Sequence, residues 1–486
     1  MANPHSPASD PTPACDPHGF ALRRVRNWFF LGLTYASYYL CRYNLGYIAP
    51  ELMRDLGLDK KQYGAIQSAR DGAYAVGQFV NGLFTDRLGG KQAMTVGAIG
   101  TVILNLVFGL TAWSNIGWLF TALVIIRMAD GYMQAFGAPG MVKINTAWFR
   151  RRERGAFAGI FGGMIQLGAI GGGKLAQLLA TGFAVPLIFF SITVPKTDWR
   201  FMFVVPPAIV VIIILLMNLM VKNHPEQAGY RIVHEDESND DDPHERIRLG
   251  QVFRKIASNK IVWIVAGAYF CTGFVRRAIE SWWVVYIEDA WHAGKSSGLF
   301  TWLFVLLPLT AFLGSLGSGI ISDKLVGGRR APVAAVLYFA ETVFIVLALL
   351  LSIDGEANTA WLAALLLIGV STMCNATHSI LGTAAAMDLG GRKMAGFSSG
   401  VIDSFQYYGA MLSGYGLGWI LEHFGRLPAP QQAAAMVAAT APASAPAHVP
   451  LDPVVWFTSM IPFGLLGTGL MGYLWITHRG KDTRGT

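Results

Sequence analysis

Charge is what this 486-residue chain has least of. Asp, Glu, Lys and Arg make up 14% of it, against about a quarter in soluble domains. With 53% hydrophobic residues and a mean hydropathy of +0.43, that scarcity excludes an ordinary soluble globule and indicates a polytopic membrane protein. Cysteine is scarce as well. Cys15, Cys41, Cys271 and Cys374 are the full set, with no CxxC spacing, which speaks against a disulfide framework or a metal site. No HExxH, GxSxG or paired-carboxylate arrangement stands on a plausible catalytic domain, so the chain reads as a non-enzyme without cofactor or metal. The glycine sets "GIFGGMIQLGAIGGG" and "LGSLGSG" lack the GK(S/T) ending of a nucleotide loop. They lie inside apolar runs, where small residues let helices pack closely. The first twenty residues, "MANPHSPASDPTPACDPHGF", lack the apolar core of a cleavable signal peptide.

What is present is a series of apolar runs. A span needs about 20 mostly apolar residues, and twelve such runs are expected at roughly 27–50, 62–84, 92–113, 117–140, 155–181, 200–221, 259–288, 298–321, 331–352, 359–384, 395–421 and 454–477. The basic clusters fall on one side of them: Arg23, Arg24 and Arg26; Arg87 and Lys91; Arg150 to Arg152 and Arg154; Lys324, Arg329 and Arg330; Arg392 and Lys393; and finally Arg479, Lys481 and Arg484. That bias places both termini in the cytoplasm, and it accounts for the formal charge of +8 without a nucleic-acid partner. The expected organisation is a disordered tail over 1–26, a six-helix bundle over 27–221, a charged linker over 222–258, a second six-helix bundle over 259–477 and a short tail over 478–486. The linker holds the acid run Asp240 to Asp242, read as solvated. An Ala/Pro-rich loop at 426–453 is a low-complexity excursion on the far side.

The halves repeat a motif. Gly82-Leu-Phe-Thr-Asp86-Arg87-Leu-Gly-Gly-Lys91 returns as Gly319-Ile-Ile-Ser-Asp323-Lys324-Leu-Val-Gly-Gly-Arg329, at the same point of each half. It resembles the cytoplasmic signature of the major facilitator superfamily. That resemblance implies an all-α membrane fold of two pseudo-symmetric six-helix bundles facing a central cavity, with alternating access by rocking. Gly82, Asp86, Arg87, Asp323 and Lys324 are then the expected gating residues.

Two arginines stand inside spans. Arg42 interrupts "YASYYLCRYNLGYIAP" and Arg276 interrupts "CTGFVRRAIESWW". The two signature copies are 237 residues apart, and that offset carries Arg42 to within three residues of Arg276. Each lies about 15 residues into its span, roughly 22 Å from the cytoplasmic end. An arginine at a helix centre costs about 2.5–3.5 kcal/mol on insertion scales and usually faces a cavity or a partner. Guanidinium grips phosphate or carboxylate bidentately, so two converging arginines suit a doubly charged oxyanion. Tyr35, Tyr38, Tyr39, Arg42 and Gly46 share one helical face. The competing role is internal neutralisation: Glu280 lies within one turn of both Arg276 and Arg277, whereas no acid is comparably near Arg42.

Here a family resemblance becomes specific. "YYLCRYN", "AYAVGQFVNGLFTDRLGGK", "GYMQAFGAPGMVKINTAWFRRRERGAFAGIFGG" and "MDLGGRKMAGFSSGVIDSFQYYGA" are similar to the organophosphate:phosphate antiporter family. The resemblance implies exchange of an organic phosphate, such as glycerol-3-phosphate or a sugar phosphate, for inorganic phosphate. It also implies that Arg42 and Arg276 clamp the phosphate, and it favours a monomer in a bacterial inner membrane. The chain departs from the family at Gln78, where bacterial members often carry lysine, and at Gly168, where several carry histidine. Tyr38, Tyr39, Tyr74, Gln78 and Asp403 are candidates for the organic moiety, with Tyr35 beside them. Arg127 and Asp130, three apart, either pair with each other or serve proton coupling. Asp403 either titrates, accepts a sugar hydroxyl or pairs with Lys393 or Lys174. Arg70 and Asp71 are expected to pair locally, and His378 to make a helix contact. Two other functions remain open at this stage: a sugar-phosphate sensor of the same family, and a proton-coupled carrier of an organic anion.

Overall fold

The computed structural model describes residues 17–114, 116–149, 151–186, 191–230, 258–327, 329–354, 359–385, 402–425 and 450–477. Most of the expected linker and of the Ala/Pro-rich loop, the stretch holding Arg392 and Lys393, and the side chains of Asp86 and Asp323 lie outside the described residues.

Twelve long helices run through the described residues. In the first half they are α1 (Pro17–Tyr47), α2 (Lys60–Leu88), α3 (Gly90–Ala112), α4 (Leu119–Trp148), α5 (Arg151–Thr181) and α6 (Trp199–Met220). In the second they are α7 (Lys260–Trp291), α8 (Gly298–Lys324), α9 (Arg330–Asp354), α10 (Ala360–Ser379), α11 (402–423) and α12 (Pro453–Thr477). Eight of them (α3, α4, α6 to α10 and α12) are long and apolar enough to cross a membrane. The other four, α1, α2, α5 and α11, carry the polar residues Arg42, Arg70, Asp71, Lys174, Asp403 and Gln406 within their length. Those four also make the crossings between the halves: α2 on α11, α5 on α8, and α1 on α7.

Local chemistry accounts for the helix ends. Asp59 accepts from the Gln62 amide while Gln62 reaches back to the Asp59 amide, a capping box that starts α2. Asn259 and Ser297 cap α7 and α8 through their side-chain oxygens. Two features differ from expectation. The first helix begins at Pro17 rather than near residue 27, proline being well suited to a first helical position; residues 17–26 are therefore helix and not part of a disordered tail. After α5, the β-branched and aromatic stretch folds into a small antiparallel hairpin, β1 (Phe183–Pro186) with β2 (Ser191–Val194), in the register Phe183 to Val194.

The two halves meet at the end of the bundle away from the termini. Glu51 pairs with Lys295, and Arg54 lies 3.9 Å from Glu288. The Lys60 amide donates to Glu422 at 3.2 Å, and Tyr63 donates to the Ser281 carbonyl at 2.9 Å. Where α2 crosses α11 the backbones touch. A Cβ on Gly64 would overlap the Gly414 carbonyl, and one on Gly418 would overlap that of Lys60. The π-helical turn Ser413–Leu417 lies at this crossing, with Ser68 Oγ bonding both the Met411 carbonyl (2.5 Å) and the Tyr415 amide (2.6 Å). Toward the termini a Cβ on Gly82, Gly317 or Gly319 would meet nothing within 4 Å, whereas one on Gly163 of α5 would still meet Phe312 of α8 at 3.1 Å. The structure is closed at the far end.

Candidate functional site

The site sits where α1 and α7 approach each other. Gly46 permits the approach, since a Cβ there would lie 3.0 Å from the Glu280 carbonyl. One turn before it, Arg42 is 6% exposed. Its Nε donates to Gln134 Oε1 at 2.9 Å and its Nη1 to Tyr39 Oη at 3.2 Å. The guanidinium lies 4.5 Å from the Tyr39 ring centroid and 4.4 Å from that of Tyr74, and no carboxylate pairs with it among the described residues. Its Nη2 is buried without a hydrogen-bond partner. A cation held by rings and an amide, with one donor unspent, is poised for an anion.

Arg276 enters from the other half. Its Nε donates to Glu280 Oε1 at 2.9 Å, and its Nη1 lies 3.2 Å from His378 Nε2. Guanidinium only donates, so Nε2 of His378 accepts and a neutral ring carries its proton on Nδ1, 2.6 Å from Tyr269 Oη. Tyr43 donates to the same Glu280 oxygen at 3.0 Å. Arg42 and Arg276 border one small cavity, together with Tyr39, Tyr43, Gln406 and Tyr407.

Behind this cavity the halves are tied by charge. Asp71 lies 2.5 Å from Arg70 and 2.7 Å from Arg277, which also reaches Glu280 at 3.1 Å. The pairing Arg70–Asp71–Arg277–Glu280–Arg276 runs from α2 to α7, and Arg42 joins it through its carbonyl, which accepts from Arg70 at 2.9 Å. Four guanidiniums face two carboxylates in this pairing, a formal excess of two positive charges that Asp403, within electrostatic reach of Arg276 and Arg42, offsets in part. A net positive cluster in a low-dielectric interior favours an accompanying anion.

The remaining candidates divide. Tyr39 and Tyr74 are against Arg42, and Tyr35 packs edge-on against Tyr39 at 5.5 Å. Tyr38 is turned away, donating to the Met94 carbonyl at 2.6 Å in the α1–α3 contact. Gln78 lies one turn beyond Tyr74 toward the termini and is half-buried. Asp403 is 3.5 Å from Tyr269 Oη, one residue removed from His378. Lys174 does not reach Asp403 but donates to Gln177 at 3.0 Å. Arg127 and Asp130 pair at 2.8 Å, both 1% exposed, and Asp130 accepts from Gln134 at 3.0 Å, the amide that holds Arg42. Arg87 and Lys324 end α2 and α8 toward the termini. Sequence reading missed Gln134 and expected of His378 only a helix contact; each orients one arginine from the fourth helix of its half. The repeat offset gives no route to the pair: 237 residues beyond Gln134 is 371, two turns short of His378.

Comparison with known proteins adds a family. The model of the Major Facilitator Superfamily matches residues 31–414. The chain belongs to the major facilitator superfamily. A probable hexose phosphate transport protein of Chlamydia pneumoniae is 26% identical over 420 residues, covering 83% of this chain and 86% of that protein. The glycerol-3-phosphate transporter of Bacillus subtilis is 28% identical over 414 residues, covering 83% and 88%. The membrane sensor protein UhpC of Salmonella typhimurium is 24% identical, covering 82% and 87%. These relatives are organophosphate:phosphate antiporter family members, the family whose motifs the sequence resembles. Among solved structures, a bacterial homologue of the human lysosomal transporter Spinster, inward-facing and unoccupied, superposes with a TM-score of 0.65 at 15% identity over 93% of this chain and 95% of that one. That likeness concerns the fold alone.

Proposed function

We propose that this superfamily member is a phosphate-ester antiporter that exchanges an organic phosphate for inorganic phosphate. The observation that carries the reading is the pair of arginines from opposite halves bordering one small cavity, with Arg42 Nη2 buried and unpartnered. Inorganic phosphate and the phosphate end of an ester present the same dianion, whose charge offsets the positive excess on the cluster. The dianion bonds Arg42 Nη2 and shares Arg276 with Glu280. Binding draws α1 and α7 together and neutralises the cluster, so the loaded protein can repack its halves. An empty one keeps mutually repelling guanidiniums, and its barrier to switching stays high. Exchange is then obligatory, because only an occupied site returns. Gly82, Asp86, Arg87, Asp323 and Lys324 act at the ends of α2 and α8 toward the termini. Both termini are cytoplasmic in a bacterial inner membrane, and the monomer is the working unit, with lipid around it. Arg127–Asp130 positions Gln134 rather than carrying protons.

The test is uptake of labelled phosphate by proteoliposomes with and without internal phosphate. Antiport requires that uptake depend on internal phosphate and be unaffected by collapsing the pH gradient. Uptake driven by the pH gradient into phosphate-free vesicles would replace antiport with proton coupling. The similarity to UhpC supports a second reading, a sensor of the same ligand. Tight phosphate-ester binding without any exchange would favour it.

A further inference from the structure

Two cavities meet at Arg276. The smaller is the arginine-lined one. The larger lies among α1, α5, α7, α8 and α10. Tyr43, Arg276 and Glu280 border both, so one ester can hold its phosphate at Arg276 and extend past that shared wall. Tyr74, Gln78 and Asp403, expected from sequence beside the organic moiety, border neither cavity.

We propose that the larger cavity receives the organic part of the ester and that its lining selects a hydroxylated ring, a sugar, over a glycerol chain. This rests on the phosphate reading above. The argument comes from the wall chemistry. Gln166, Ser371 and Asn375 supply amide and hydroxyl groups that both donate and accept. Asn375 is held in place by its bond to the Ser371 carbonyl at 2.9 Å. Glu280 accepts only, and it already takes Tyr43 and Arg277 as well as Arg276, so it closes this wall as a satisfied acceptor. The other side is apolar, with Trp283 and Phe304 among its residues. Trp283 is locked between Tyr47, edge-on at 6.0 Å, and Phe300, stacked at 5.3 Å, so it presents a fixed surface. A sugar ring has apolar C–H faces and a rim of hydroxyls, which matches one apolar wall and one polar wall. An apolar tail would leave the polar groups of Gln166 and Ser371 facing carbon. A three-carbon chain would leave the Trp283 side unfilled.

The experiment measures inhibition of phosphate–phosphate exchange in proteoliposomes by glucose-6-phosphate and by glycerol-3-phosphate, for wild type, Gln166→Ala, Asn375→Ala and Ser371→Ala. Ser371→Ala removes one oxygen and keeps the helix, so it reports even if the amide variants fail to insert. In the wild type, glucose-6-phosphate should inhibit at least tenfold better than glycerol-3-phosphate. Each variant should reduce that ratio by about three- to tenfold, the loss of one hydrogen bond. Glycerol-3-phosphate inhibiting as well as the hexose phosphate, or variants that leave the ratio unmoved, would overturn the assignment of this cavity while leaving phosphate exchange standing. Absence of phosphate exchange in the wild type would instead remove the phosphate reading, and this inference with it.

Discussion

Asp71→Asn probes the switch between conformations. Asp71 is 1% exposed and holds two guanidiniums, Arg70 at 2.5 Å within α2 and Arg277 at 2.7 Å across the interface. Asparagine keeps the shape and removes the charge, raising the excess on the cluster from two positive charges to three. Removing one partner of a buried pair costs about 3–5 kcal/mol, because the remaining charge is stranded. The link to Arg277 joins the halves only while the far end is closed, so that part of the cost falls on the conformation described here. With water able to reach Arg277 once the halves part, a bias of about 3 kcal/mol toward the opposite conformation follows, a shift of about a hundredfold in the equilibrium. The assay is alkylation of a cysteine placed at Lys61, at the closed end, by a membrane-impermeant maleimide. Labelling should rise steeply in Asp71→Asn, and adding Arg277→Gln should return it toward wild type by removing the stranded charge. Unchanged labelling, or a double variant as open as the single one, would refute the reasoning.

Three further outcomes follow from the same geometry. Gly64→Val puts a side chain into the Gly414 carbonyl, so α2 and α11 must part; closed-end labelling should rise and exchange should fall at least tenfold, whereas near-normal exchange would show that the crossing is not a gate. His378→Phe leaves Arg276 Nη1 without its 3.2 Å acceptor and should raise the KM for phosphate several-fold with little change in the maximal rate, while His378→Asn, which can still accept, should recover part of the loss. Glu341, in α9, is 0% exposed with neither carboxylate oxygen hydrogen-bonded among the described residues. Glu341→Gln should therefore raise thermal stability, by about 1 kcal/mol, in a melt of the detergent-solubilised protein; a lower melting temperature would reveal a role for the carboxyl.

The architecture was legible in the sequence because membrane spans announce themselves by composition, and a repeated signature marks the two halves. The arginines were legible for the same reason: a charge in an apolar run is conspicuous, and the repeat offset relates Arg42 to Arg276. Their surroundings were harder to read. Gln134 and His378 are ordinary polar residues on helices far away in sequence, and only the packing of α4 and α10 against α1 and α7 brings them to the arginines. Asp71 reads as a local partner of Arg70, and nothing in the one-dimensional pattern shows that it also crosses to Arg277. Tyr38 shares a helical stripe with Arg42, yet the stripe is wide enough that its hydroxyl turns to Met94 in the α3 contact. The strands Phe183–Pro186 and Ser191–Val194 fall between the expected spans 155–181 and 200–221, where the sequence reading assigned no structure.

The most direct measurement is calorimetric binding of inorganic phosphate to the purified protein, for wild type, Arg42→Lys and Arg276→Lys. Lysine keeps each charge but cannot reproduce the fork, and one lost charge-assisted hydrogen bond is worth about 1.5–3 kcal/mol. Both substitutions should therefore weaken phosphate binding about ten- to a hundredfold, each on its own. Wild-type affinity in either variant would mean that the phosphate is not held between the two arginines.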